Sequence, residues 1–129
     1  MNDRSYKELI KNHSELFLHP DKIEINFEYG WYGIINELFS TIEVYFGLYP
    51  EKDFSDFKII SIEKKFGVLM IEAQNSTDVL DVIISAAEIL TYRTCEKCGK
   101  PGDIYCDTKW LHWSEKKILC KSHAVELYY

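Results

Sequence analysis

The sequence predicts an α+β fold with three helices, a small and mainly antiparallel sheet, and a distinct C-terminal unit. Apolar residues recur at helical spacing in three segments of the chain. Two runs rich in β-branched and aromatic side chains adjoin each other in the middle of the chain. The cysteines all lie in the last third, where turns and lysines replace the apolar pattern.

The three helical segments differ in how much of their surface is apolar. Residues 6–17 carry one apolar stripe and end before Pro20, because the residue before a proline avoids helical angles. Residues 31–46 carry a second stripe, with Gly47 placed to end the helix. Residues 78–92 are apolar nearly all round, so we expect this helix to be buried at the centre, under the sheet.

The strand signals are shorter. Alternation over residues 23–27 indicates a short, half-buried strand. Residues 57–63 and 66–73 flank Lys64-Lys65, which favours a hairpin with Gly67 as a candidate bulge. In the C-terminal unit we expect short strands over 103–106, 109–113 and 117–119.

Composition limits the classes of protein to which the chain can belong. Its 129 residues fit one domain with a small appended subdomain, and a hydrophobic content of 47% suffices for a core. The most apolar run, 79–90, is shorter than the roughly 20 residues of a membrane helix and contains Asp81 and Glu88. We therefore expect a soluble, cytoplasmic protein without a membrane partner. In a reducing compartment its four cysteines are more typical of metal ligands than of disulfides.

Two pairs of metal-ligating residues stand out by their spacing. Cys95 and Cys98 are separated by two residues, and so are Cys120 and His123. Zinc takes four nitrogen or sulfur donors in a tetrahedron, and pairs at this spacing each supply one edge of it. Gly99 allows a tight turn after the first pair. The pattern predicts a structural Zn²⁺ site in a zinc-ribbon-like or treble-clef-like unit.

The domain boundary follows from this site. We predict an α+β body over residues 1–93 and a zinc-binding subdomain over residues 94–129. The metal acts as a staple for a segment with a poor core of its own, so its binding free energy is folding free energy. Loss of a ligand is expected to unfold this segment and to leave the helical body folded.

Other interpretations of the same residues are weaker. A thioredoxin-like redox pair would begin a helix after a strand and would leave Cys120 and His123 unexplained. A deaminase site needs an H-x-E motif, and His13-Ser14-Glu15 lies about eighty residues from the cysteines. Cys106 could replace a donor but belongs to neither pair, and His112 is a weak candidate for a general base. We therefore assign no catalytic residue and do not expect an enzyme.

Several short motifs together resemble a group of small phage- and prophage-encoded proteins, also found in bacterial genomes. The motifs are Gly30-Trp31, the K-F-G-x-L segment at 65–69, Ala87-Glu88, and the C-x-x-C-G and L-C-x-x-H segments at 95–99 and 119–123. The likeness extends from Tyr29 to the end of the chain. At 70, where the group pattern has arginine, this chain has Met70. The resemblance implies a phage or mobile-element setting and a zinc site, and no catalytic residue.

The leading functional hypothesis is a zinc-stabilised, non-enzymatic binding protein that engages a host or defence protein. The first alternative is nucleic-acid binding, against which the net charge of −6 counts overall. In that alternative lysines of the C-terminal unit contact phosphates and Trp110 or Trp113 stacks on bases; the lysines are Lys97, Lys100, Lys109, Lys116 and Lys117. The second alternative is sequestration of a small nucleotide-like ligand in an aromatic pocket. Tyr29, Trp31 and Tyr32 could form an aromatic patch, although such a cluster at a helix start is more often part of the core. The sequence does not predict an oligomeric state.

Overall fold

The fold was analysed in a computed structural model, which describes residues 3–105 and 117–128. It is an α+β structure, as predicted. Its elements in chain order are α1 (Asp3–Asn12), α2 (Tyr32–Leu48), β1 (Lys58–Lys65), β2 (Val68–Gln74), α3 (Asp78–Thr91), β3 (Asp103–Tyr105), β4 (Lys117–Leu119) and α4 (Lys121–Tyr128). In the described part of the chain, β1 pairs with β2 and β3 pairs with β4, both antiparallel.

The first two helices place their predicted stripes in the core. Helix α1 ends at Asn12, and a 3-10 turn over Ser14–Leu16 completes the segment that the sequence predicted as one helix. Another 3-10 turn, Tyr29–Trp31, leads into α2, which continues through Gly47 to Leu48. The helix predicted over residues 31–46 therefore ends two residues later than expected, and Gly47 does not end it.

Helix α3 is not buried all round, so that prediction was wrong. Leu80, Ile84 and Ala87 face the core, where α3 packs on α2 and β2. The opposite side is apolar but exposed: Val82 is 68% exposed and Leu90 56%. The helix lies at the edge of the body, where one apolar face has the core as its partner and the other is open.

The strand predicted over residues 23–27 is also absent from the described structure. A 3-10 turn over Pro20–Lys22 is followed by extended chain without a backbone ladder. The side-chain amide of Asn26 takes the place of such a ladder: it donates to the carbonyl of Lys64 at 3.1 Å and accepts from its N–H at 2.8 Å. The alternation arose because Phe27 is buried in the core and Ile23 and Ile25 pack against it.

The hairpin is confirmed, but its turn lies two residues later than predicted. Lys65 pairs with Val68, so Phe66 and Gly67 form the loop. Both have positive φ, 55° and 81°, as a two-residue type I′ turn requires. The bulge is not at Gly67 but between Ile59 and Ser61 in β1.

The C-terminal unit contains a helix that was not predicted. Strands β3 and β4 confirm the first and third expected strands, with Asp103 opposite Leu119, while the expected strand over 109–113 lies outside the described residues. Helix α4 follows β4 after Cys120. The order of cysteine turn, hairpin and helix is that of the treble-clef-like alternative.

One main core joins the body to this unit. Trp31, Phe39 and Leu80 are fully buried in it, and so is Ile118 of β4. The indole N–H of Trp31 donates to the carbonyl of Thr94 at 2.9 Å. Among the described residues, no helix is both long enough and apolar enough to span a membrane.

Gly30 marks the closest approach between the two parts. Its N–H donates to the carbonyl of Glu96 at 2.7 Å. A Cβ at this position would overlap the carbonyl oxygen of Cys95 and lie 2.5 Å from the carbonyl group of Glu96. Since these are backbone atoms, they cannot move aside as a flexible side chain could.

Gly30→Ala should therefore lower the free energy of unfolding by roughly 1–3 kcal/mol, the range of overpacked cores. Gly33→Ala, in α2, is the control, because nothing lies within 4 Å of its added Cβ. It should be neutral or more stable by up to about 1 kcal/mol through helix propensity. Urea unfolding followed by circular dichroism measures both. A Gly30→Ala protein as stable as the wild type would contradict the close approach.

Candidate metal centre

The first two thiols are held by a turn that follows α3. The N–H of Cys95 donates to the carbonyl of Lys100 at 2.7 Å, and the N–H of Gly99 donates to the carbonyl of Cys95 at 2.9 Å. Gly99 has φ of 83°, which L side chains rarely adopt, so a glycine here permits the reversal. The turn brings Cys95 and Cys98 to the same side of the chain.

The second pair is positioned by α4. Cys120 immediately precedes the helix, and His123 lies in its first turn. The carbonyl of Cys120 accepts from the N–H of Ala124 at 2.9 Å, which is the first bond of the helix. Residues three apart face the same side of a helix, so the C-x-x-H spacing directs thiol and imidazole to one place.

The structure brings all four predicted ligands together. One donor atom from each of Cys95, Cys98, Cys120 and His123 lies within 4.8 Å of the others. Cys98 Sγ and Cys120 Sγ are 3.8 Å apart, and His123 Nδ1 lies 3.4 Å from Cys95 Sγ and 3.2 Å from Cys120 Sγ. Tetrahedral bonds of about 2.3 Å to sulfur and 2.0 Å to nitrogen would place S···S pairs roughly 3.8 Å apart and S···N pairs roughly 3.5 Å apart. The donor set therefore fits a single small metal ion.

Backbone N–H groups favour the thiolate form of two ligands. Burial alone would raise the pKa of Cys95, but hydrogen bonds from the N–H groups of Cys120, Cys98 and Lys97 outweigh it, and the pKa is lowered. At Cys120, N–H groups at the start of α4, first that of His123, lower the pKa in the same way. A thiolate is the form that binds metal.

Cys98 behaves differently. The N–H of Lys100 favours its thiolate, but burial and the neighbouring sulfurs of Cys95 and Cys120 together raise its pKa. Three sulfurs this close cannot all carry charge without compensation. A divalent cation between them supplies that compensation, which is why this arrangement suits metal binding better than three free thiols.

Glu96, which lies between Cys95 and Cys98, connects the metal centre to the body, although no sequence pattern predicted this role. Its side chain is only 1% exposed, and Oε2 lies 2.8 Å from Lys64 Nζ on β1. Its N–H donates to the carbonyl of Ile118 at 2.8 Å, and its carbonyl accepts from Gly30. A glutamate between two cysteines of a turn is usually solvated, and the sequence predicts Lys64 only as part of the hairpin turn. No local pattern therefore indicated this ion pair.

The other candidates lie away from the centre or outside the described residues. His13 contacts the ring of Phe39 and lies 2.9 Å from a carboxylate oxygen of Glu43, so it is no part of the four-donor cluster. Trp31 is a core residue, while Tyr29 and Tyr32 stack at 4.9 Å and are half-buried. The candidate residues that lie outside the described ranges are Cys106, Lys109, Trp110, His112, Trp113 and Lys116.

No protein-family model matches the chain, and neither a curated protein nor a solved structure is similar to it. The resemblance to phage- and prophage-encoded proteins therefore stays a prediction. Function has to be inferred from the residues and geometry of this chain.

Lys64→Met should cost about 3–5 kcal/mol of stability, because the Glu96 carboxylate stays buried without its cation. The double variant Lys64→Met/Glu96→Gln should lose clearly less than the sum of the two single variants, since the residues are in direct contact. Urea unfolding of the wild type, the two single variants and the double variant gives the coupling free energy between Lys64 and Glu96.

Lys65→Met is the matched control. Its side chain is 49% exposed and lies 3.7 Å from the exposed carboxylate of Glu63. It should change stability by no more than about 0.5 kcal/mol. Additive losses at Lys64 and Glu96 would show that the ion pair does not join the two parts.

Proposed function

We propose that the protein is a zinc-stabilised, non-enzymatic binding protein of phage or mobile-element origin, which engages a host or defence protein in the cytoplasm. The observation that carries the first part is the convergence of three thiols and one imidazole within 4.8 Å. The origin and the kind of partner are suggested by the resemblance of the motifs from Gly30 to His123.

Zinc is the ion that suits this donor set best. Soft thiolates with one imidazole in a tetrahedron are typical of Zn²⁺, whereas Mg²⁺ and Ca²⁺ prefer oxygen donors. Four protein donors complete the coordination, so the ion offers no open position to water or substrate. These features support a structural ion and a non-enzymatic protein.

The metal also supports the body, beyond its own segment. The turn that holds Cys95 and Cys98 contacts Gly30 through Glu96, and the residue before the turn accepts from Trp31. Ile118, two residues before Cys120, is part of the main core. We therefore expect that ligand loss leaves the helical body folded, as the sequence predicts, but lowers its stability.

The binding role is supported by the open face of α3. Four large apolar side chains on this helix are exposed: Val79, Val82, Ile89 and Leu90. A stable body that leaves contiguous apolar surface exposed is typical of proteins that bind another protein.

The purified protein should contain about one equivalent of zinc, and Cys95→Ser should lose most of it and unfold at lower temperature. Cys106→Ser is the matched control and should keep the metal, because four other donors complete the site. Elemental analysis measures the metal.

The indole N–H resonance of Trp31 should shift in Cys95→Ser, since its acceptor Thr94 adjoins the lost ligand.

The outcome against the metal proposal is specific. If the reduced wild type holds less than about a tenth of an equivalent, or if Cys106→Ser loses as much metal as Cys95→Ser, then the four residues are not the ligand set. The binding role is tested with the metal-loaded protein as bait in host lysate, beside Cys95→Ser. Turnover of a nucleotide or nucleic acid that one substitution abolishes would overturn the non-enzymatic assignment.

A further inference from the structure

We propose that the groove between α2 and α3 binds a basic amphipathic helix of the partner protein. The proposal rests on the binding role above and names the surface and the chemistry of the segment that it receives. It depends on three observations: the shape of the groove, its apolar lining, and the sign of the charge on both helices that form it.

The groove is lined by residues of both helices. It is open to solvent along one side and has a volume of about 800 Å³. Its lining from α2 includes Ile34, Leu38 and the small Gly33, and its lining from α3 includes Ile83 and Ala86. Small residues let the backbone of a third helix come close to the other two, at the 8–10 Å typical of packed helices.

The lining is suited to an apolar helix face. Val82 and Leu90 lie two helical turns apart on the α3 side, and both are exposed although they adjoin the core. A partner helix with apolar residues at i, i+3, i+4 and i+7 would cover them, as in other helix-in-groove complexes.

The charge of the two helices selects a basic partner. Neither α2 nor α3 contains a lysine or an arginine, and together they carry Glu37, Glu43, Asp78, Asp81 and Glu88. Glu43 lies 2.9 Å from His13 and Glu88 accepts from the N–H of Ile71, so the charge at the groove rests on Glu37. Glu37 lines the groove itself and is exposed. A lysine or arginine at the edge of the partner's apolar face would pair with it.

The same charge disfavours a second copy of this chain as the occupant. In a two-fold symmetric dimer the same patch contacts itself, so the Glu37 side chains of both copies would lie in one interface. Like charges across an interface oppose association. A basic helix from a different protein satisfies both the apolar lining and the acidic edge.

The test uses two labelled model peptides of about 16 residues, long enough to span the groove as a helix. Both have leucine and alanine on one face; the polar positions are lysine in one peptide and glutamate in the other. Fluorescence anisotropy at near-physiological salt should show the lysine peptide binding at least about ten-fold more tightly. Leu90→Asp should weaken that binding about ten-fold or more.

Matched variants separate the groove from general attraction to an acidic protein. Glu37→Lys should reduce or reverse the preference for the lysine peptide, whereas Glu51→Lys, the same charge change at an exposed loop position, should not. Val44→Asp changes an exposed apolar residue of α2 that does not line the groove, and it should leave binding unchanged. Each variant is first checked for zinc content and unfolding temperature.

Several results would overturn the proposal. Equal binding of both peptides, no effect of Leu90→Asp, or equal effects of Glu37→Lys and Glu51→Lys would show that the groove does not select a basic helix. A dimer in sedimentation that Leu90→Asp dissociates would assign the groove to self-association instead. The proposed function is tested by other measurements, the zinc content and the capture of a host protein. The groove proposal can therefore fail while the proposed function stands.

Discussion

The backbone contact between Gly30 and the Cys95–Glu96 segment is the constraint on which the rest of the structure depends. It exists only because residue 30 lacks a side chain, and it sets where the first ligand pair lies relative to α2. Trp31 then reaches the carbonyl of Thr94, and β4 places Ile118 in the main core. The four-donor cluster is thereby joined to the start of α2 through backbone atoms.

The contact joins two parts of the chain that are stabilised in different ways. The body has a conventional apolar core, while the C-terminal unit adds only a small cluster of Cys95, Leu119, Cys120 and Ala124. A segment with so little buried surface needs another source of free energy, which a metal ion held by the four donors would supply. The Glu96–Lys64 ion pair lies between the two and makes their separation costly, because parting them would strand a buried charge.

Anchoring the C-terminal unit at one end of α2 leaves the outer face of α3 uncovered. The result is a packed pair of helices with an apolar groove that also contains Glu37; Cys98 and Gly99 of the candidate metal centre are part of its lining. A recognition surface on fixed elements loses little conformational entropy when a partner binds.

The sequence by itself determined the α+β class, the three long helices, the hairpin and the four donors, because helical periodicity and C-x-x-C spacing are local properties of the chain. Only the tertiary structure decided what those patterns contact. Alternation over 23–27 looked like a strand, yet Asn26 supplies the pairing through its side chain. The apolar surface of α3 looked like core, but periodicity cannot tell a face covered by this chain from one left for a partner. Gly30 and Lys64 contact Glu96 from distant positions in the sequence, so no local pattern could predict these contacts.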